Sequence, residues 1–160
     1  MGDLSEFPLK YKLFLKVYPW RRIDPVPWTP LKKPLKDSRA AVVSSAGLVR
    51  PDQEPFDDSI RGGDYSFREI PADTDVSTLM DTHRSDLYDH SGIRQDHNLA
   101  FPLERFGELV RSRRIGSLNQ RHLSFMGSIT APGRLIKKTA PAAVRKLVED
   151  DVDIALLVPV

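Results

Sequence analysis

Apolar positions fall in short runs separated by long polar stretches, and their spacing predicts four strands and two helices. Ala40 to Ser44 is a compact apolar run that ends in the small-residue turn Ser44-Ser45-Ala46-Gly47. "YSFREIP" (65–71) alternates polar and apolar positions and reads as a second strand. Arg121 to Phe125 is a third, followed by a glycine turn. Ile154 to Val158, "IALLV", has no polar alternation and suits a strand buried on both faces of a parallel sheet.

"FPLERFGELVRSRR" repeats apolar residues at helical spacing, with Leu103, Phe106 and Val110 on one face. Pro102 suits its first turn, and Arg111, Arg113 and Arg114 complement the negative end of its dipole. In "TAPAAVRKLVED" Thr139 is the expected cap, Pro141 lies in the first turn, and Val144, Leu147 and Val148 are expected to face inward. Between 72 and 83 a single helical turn capped by Asp73 or Asp75 is expected, and His83 to Phe101 reads as irregular. Strand, helix, strand, helix, strand is the order of βαβ units. The fold class is therefore α/β, three-layered, with a mostly parallel sheet that is incomplete at its carboxyl end.

The first 39 residues differ in kind. Five prolines from Pro19 to Pro34 exclude regular helix or central strand there, so 1–39 reads as an extended arm anchored by Trp20 and Trp28. The arm holds nine Lys/Arg against four Asp/Glu, a balance of +5, whereas 51–90 holds three against eleven, a balance of −8. A nucleic-acid site needs a basic face interleaved with aromatics on folded structure; the arm has Tyr11, Tyr18, Trp20 and Trp28, but its prolines exclude that structure, and no such site is expected. Residues 40–160 form the second segment, one domain with a core of its own. No window approaches a membrane span, and the start lacks a secretory pattern, so a cytoplasmic protein is expected. The absence of cysteine removes disulfides, thiolate metal sites and thiol nucleophiles from this chain.

Candidate chemistry concentrates in two places. The Ser44, Ser45, Gly47 turn follows a strand end, where backbone amides can approach a polar ligand or simply close a tight connection. "DHSGIRQDHNLAFPLERF" loads Asp89, His90, Arg94, Gln95, Asp96, His97 and Asn98 before a helix start. Asp96 or Asn98 can equally serve that helix amino terminus. His83, His90, His97 and His122 have the ligand chemistry of zinc without the spacing of a zinc module, so no metal is expected. Ser44, Ser45 and Ser124 lack the G-x-S-x-G surroundings of a hydrolytic serine.

"VVSSAGLV", "RQDHNLAFPLERFGEL", "RRIGS", "HLSFMG" and "VDIALLVPV" occur in order across 40–160 and resemble the selenoprotein B family of the glycine, sarcosine, betaine and D-proline reductases. The resemblance is nearest to the D-proline reductase branch. It implies a redox motif after "LLVPV": selenocysteine or cysteine, two residues, then cysteine, the first being the nucleophile. It also implies a partner subunit carrying a pyruvoyl group, a dithiol-type electron donor, and reductive carbon–nitrogen cleavage. No cofactor is expected in the 160 residues themselves. The chain stops where that nucleophile is expected, as an in-frame UGA codon read as a stop would make it. On this expectation the chain is inert alone and the full product is an oxidoreductase. Asp96, Asn98 and Arg105 are then expected near the end of the last strand to orient the nucleophile or bind substrate carboxylate, with His90 and His122 as candidates for proton transfer. The alternative is a genuine short binding or assembly module without redox chemistry. An unrelated α/β protein that binds a small ligand is a third reading.

Overall fold

The computed structural model describes residues 7–19, 22–85, 88 and 90–160. It divides into two units, Met1–Pro30 and Leu31–Val160.

In the first unit, α1 spans Leu9–Val17 and buries no residue. A helix where an extended arm is expected has a simple cause. No proline interrupts the chain between Pro8 and Pro19, and the residue before Pro19 is forced out of helical geometry: Tyr18 has φ −62° and ψ 130°. The described residues from Pro19 to Pro34 carry no helix or strand, as their prolines require. Trp28, an expected anchor, is 85% exposed, and Trp20, the other, lies outside the described residues.

The second unit is built on a mixed, mostly parallel sheet and has an α/β fold. Its central strand is β1 (Arg39–Ser44), followed by β2 (Leu48–Val49), β3 (Phe67–Pro71) and β4 (Met80–Asp81). Then come α2 (His90–Gln95), α3 (Leu103–Arg111), β5 (Ser117–Leu118), β6 (Arg121–Phe125), α4 (Ala140–Glu149) and β7 (Ile154–Val158). β7 runs parallel to β1 along its length, Ala40 facing Ile154 through Ser44 facing Val158. The other edge of β1 is shared by β5 at Arg39–Ala40 and β6 at Val43–Ser44, both parallel. β3 pairs antiparallel with β6, and β2 with β4 in a separate ribbon.

Alternation along the strands sends Val42 and Ile70 to one face, where Leu79, Ile93, Phe101 and Leu103 join them in the main core. Val43 and Leu157 turn to the other face, bordered by the π-helical turn Leu135–Thr139 and α4. Two expectations for this region fail. Thr139 is helical (φ −82°, ψ −36°) and caps nothing, because the helix begins upstream of it. Val144 and Val148 are 58% and 66% exposed, since α4 meets the sheet through Ala143 and half-buried Leu147, and among the described residues no element covers its valine face. The irregular reading of 83–101 also fails: buried Ile93 anchors α2, and a 3-10 turn covers His97–Leu99.

β7 has the predicted bounds in a different setting. β1 pairs with one edge, and among the described residues no strand pairs with the other. Ile154, Leu156 and Leu157 are 36%, 39% and 69% exposed, so the strand is not buried on both faces.

The opposite end of the sheet is tied electrostatically. Arg121 grips Asp150 through two bonds, Nε at 2.9 Å and Nη2 at 2.5 Å, and also reaches Glu69 at 3.3 Å. Asn119 Nδ2 donates to Asp150 at 2.8 Å, and Lys146 pairs with Glu69 at 2.8 Å. One network thus joins β3, β6 and the α4–β7 connection. The Arg121 guanidinium and then the Asn119 amide hold the Asp150 carboxyl down at about 2.

Candidate functional site

The turn after β1 and the end of β7 form one hydrogen-bonded edge. Ser44 Oγ accepts from the Ala46 amide at 3.1 Å, an Ser-turn bond that starts the bend. Ser45 N–H donates to the Val158 carbonyl at 3.0 Å, and the Val160 N–H donates to Ser45 Oγ at 2.9 Å. From β6, Gly127 N–H donates to the Ser45 carbonyl at 2.7 Å, while Gly47 N–H donates to the Phe125 carbonyl at 2.8 Å. Two glycines make this closeness possible. Gly47 has φ +67°, and a Cβ there would lie 3.0 Å from the His83 backbone; a Cβ on Gly127 would lie 2.8 Å from the Ser45 carbonyl oxygen. Beside this edge is an open, mainly apolar groove of about 410 Å³ lined by Ser44, Ser45, Met126, Leu135, Leu157 and Pro159.

A histidine cluster adjoins the turn. Thr82 donates to the Gly47 carbonyl through N at 3.1 Å and Oγ1 at 2.6 Å, which brings Asp81, His83 and His90 alongside. The Asp81 side chain, 4% exposed, accepts from the His83 amide at 3.1 Å and meets His90 Nδ1 at 2.5 Å. His90 Nε2 lies 3.2 Å from the Ser85 carbonyl, and its ring stays partly accessible. The buried His83 accepts the Ser85 amide at Nδ1 (3.2 Å), so its proton is on Nε2, which has no partner. Burial lowers its pKa against the opposing pull of Asp81.

His122 is elsewhere in function. Between the pairs Ala40–Leu118 and Val43–Leu123, β1 advances three residues and the β5–β6 edge five, so the ladder is broken at Val42. His122 Nδ1 fills the gap by accepting the Val42 amide at 2.9 Å, which leaves the proton on the buried Nε2. The imidazole closes a sheet. Burial drives its pKa down to about 4. Ser124 is fully buried on the same face with its Oγ unpartnered.

Asp96, Asn98 and Arg105 form a third group. Asp96 Oδ1 accepts from Asn98 N and Nδ2 at 2.9 and 3.1 Å, Asn98 Oδ1 accepts the Glu104 amide at 3.2 Å, and Asn98 Nδ2 donates to Glu104 at 2.8 Å. Pro102, at the start of α3, offers no cap, so Asn98 supplies it from four residues upstream. Arg105 is half exposed and pairs with Glu104 at 3.4 Å and Glu108 at 2.7 Å. None of the three bonds to Ser45 or to Val158–Val160. The Asn98 amides pull the Asp96 carboxyl below its usual range. Among the described residues, no three His, Cys, Asp or Glu side chains converge as a metal site. Sequence reasoning missed Asp81 and Thr82, whose short polar stretch carries no local signal of its tie to Gly47.

The profile of the glycine/sarcosine/betaine reductase selenoprotein B family matches residues 8–159. The chain belongs to that family. It is 32% identical over 158 residues to the D-proline reductase subunit gamma of Acetoanaerobium sticklandii, covering 98% of this chain and 61% of that one. It is 29% identical over 155 residues to the sarcosine reductase complex component B subunit beta of Peptoclostridium acidaminophilum, covering 97% of this chain and 35% of that one. The chain therefore spans less than two thirds of either relative's length. No solved structure matches it. The match runs through the β1 turn, the capping loop of α3, β6 and β7, and it includes most of the first unit, which the resemblance read from 40–160 alone leaves out. No helix of the described residues is long and apolar enough to cross a membrane.

Proposed function

We propose that this chain is the amino-terminal portion of a reductase subunit that cleaves a carbon–nitrogen bond of glycine, sarcosine, betaine or D-proline with a dithiol as reductant. In the full product a selenocysteine or cysteine nucleophile follows Val160. One observation carries the reading: Ser45 holds both Val158 and Val160 at the carboxyl edge of the sheet, beside an open groove. A residue attached there would sit where open α/β sheets present reactive groups. The family membership and the fraction of each relative that the chain spans support the same reading.

The balance of the reaction is two electrons. A dithiol becomes a disulfide and the carbon–nitrogen bond gains two electrons and two protons; the amine leaves, or with D-proline stays on the opened chain. The nucleophile acts as its anion, which favours selenium because a selenol ionises more readily than a thiol. The electron-withdrawing carbonyl, a pyruvoyl group, would belong to a partner subunit, and its chemistry is to activate the substrate's α-carbon. Within this chain, His90 backed by Asp81 is the group suited to pass a proton to the leaving amine. Ser44, Ser45 and Gly47 shape the edge that presents the nucleophile, while Asp96, Asn98 and Arg105 act first as the cap of α3. A thiol and selenol site of this kind needs a reducing compartment, which points to the cytoplasm.

The nucleotide sequence after the Val160 codon tests this directly. The expected reading is UGA, an open frame with a cysteine codon three positions on, and selenium-dependent reductase activity in the full product. A frame that closes within a few codons sinks the proposal and leaves a short binding module.

A further inference from the structure

α3 ends in a geometry that its residues do not favour. Arg114 N–H donates to the Leu109 carbonyl at 2.8 Å and Arg113 N–H to the Val110 carbonyl at 2.9 Å, the two bonds of a Schellman cap, with buried Ile115 following. In that cap the first residue past the end is left-handed, and Arg113 has φ +57°. Glycine occupies this position without strain, whereas an L side chain does not. Arg111, Arg113 and Arg114 are all exposed, and none forms an ion pair among the described residues. The helix dipole favours Arg111 in the last turn and acts more weakly on Arg113 and Arg114, which lie just beyond it.

The patch extends to a second segment. Gly116 N–H donates to the Leu35 carbonyl at 3.0 Å, which places the turn Leu35–Asp37 against the chain that follows the arginines. Lys36, exposed and in no ion pair among the described residues, lies on that turn beside Asp37. Three arginines and Lys36, none in an ion pair among the described residues, thus lie on the chain before β5 and on the turn it bonds to.

We propose that this patch is a docking surface for an acidic protein surface on a partner subunit, with the arginine forks taking carboxylates. The proposal rests on the reading of the chain as part of a reductase complex. Arginine's planar donor fork matches a carboxylate in two bonds, which a lysine patch would not provide. Nucleic acid is the poorer occupant, since no exposed aromatic ring interleaves the cations on α3 or its cap.

The probe is a short fluorescent polyglutamate peptide, titrated against the purified protein at low and high salt, with a DNA duplex of equal charge as comparison. Variants are R111Q/R113Q/R114Q, the single R113G, and K137Q/K138Q/R145Q, which removes the same three charges away from the patch, as the control. The triple variant is expected to lose about tenfold in affinity, and the control to keep wild-type affinity. R113G separates a binding role from a structural one: it should melt higher than wild type, because strain is relieved, yet bind polyglutamate more weakly. Equal binding by R113G, an equal loss in the control, or tighter binding of DNA than of polyglutamate would overturn the proposal. The codon test above is independent of this titration, so the two readings can fail separately.

Discussion

Replacing His122 by asparagine should remove most of the acid sensitivity of the fold while leaving the fold intact. The imidazole is fully buried, and its Nδ1 is the acceptor that satisfies the Val42 amide where the ladder breaks. Protonating it would place a charge in the core and destroy that acceptor. The folded state therefore takes up a proton only near pH 4, while the unfolded chain takes it up at 6.5. Between those values the unfolded state binds more protons. The contribution is present in full above pH 6.5 and is lost as pH falls toward 4. At about 1.4 kcal/mol for each tenfold difference in proton affinity, the loss is roughly 3 kcal/mol, a large part of a stability of ~5–15 kcal/mol.

Asparagine carries an amide oxygen close to where Nδ1 stands and does not titrate. His122→Asn should keep the Val42 bond, lose about 1–2 kcal/mol at pH 7 to the volume left by the ring, and flatten the stability profile between pH 6.5 and 4. His122→Leu should fill the volume, strand the Val42 amide, and lose a further ~1–3 kcal/mol. His83 is shifted in the same direction by burial, so a residual slope in His122→Asn belongs to it. The assay is urea unfolding at a series of pH values followed by far-UV circular dichroism. Tryptophan fluorescence would report the wrong part of the chain, since Trp20 and Trp28 both precede Leu31. A His122→Asn profile as steep as wild type between pH 5 and 6 would refute the reasoning.

Three further outcomes follow from contacts of the same unit. Gly47→Ala should destabilise the fold by about 1–3 kcal/mol in urea unfolding, because it combines φ +67° with a Cβ 3.0 Å from the His83 backbone; an unchanged midpoint would show that the turn relaxes freely. Asp150→Asn should lower stability at pH 7 by about 1–2 kcal/mol, after discounting a partly exposed setting. Because its pKa is depressed, the wild-type contribution is complete above the ordinary carboxylate value and disappears as pH falls through about 2, so the variant should converge on wild type there. Leu157→Lys, at a position 69% exposed on the edge strand, should reduce self-association of the 160-residue chain in light scattering without lowering its melting temperature; unchanged or increased association would contradict the argument.

What the sequence discloses, and where it misleads, can be followed residue by residue. β6 is legible to the residue because a short alternating run is bounded by a polar turn and a glycine. The Ser44–Gly47 turn is legible because small residues after an apolar strand have few other uses. α1 is missed because the prolines after Pro19 colour the reading of the proline-free residues before them. α2 is missed because "HSGIRQ" has poor helix propensity, and the single buried contact of Ile93 overrides it. In the candidate site the limit is chemical. Asp96 and Asn98 are the residue types that cap helices and also the types that bind ligands, and only the bond from the Glu104 amide to Asn98 identifies the first use.

The last strand makes the remaining distinction. An apolar run such as Ile154–Val158 reports the environment a strand is suited to, while the structure reports the one it has. β1 meets one edge of β7, but Leu156 and Leu157 keep much of their surface in water. At about 25 cal/mol for each Å² of apolar area, exposure of this kind is a driving force for whatever can cover the strand. The charge introduced by Leu157→Lys removes that force at its most exposed point and leaves the pairing with β1 untouched. If the strand is at home at an edge, the substitution will change nothing. If it is suited to cover, association will fall.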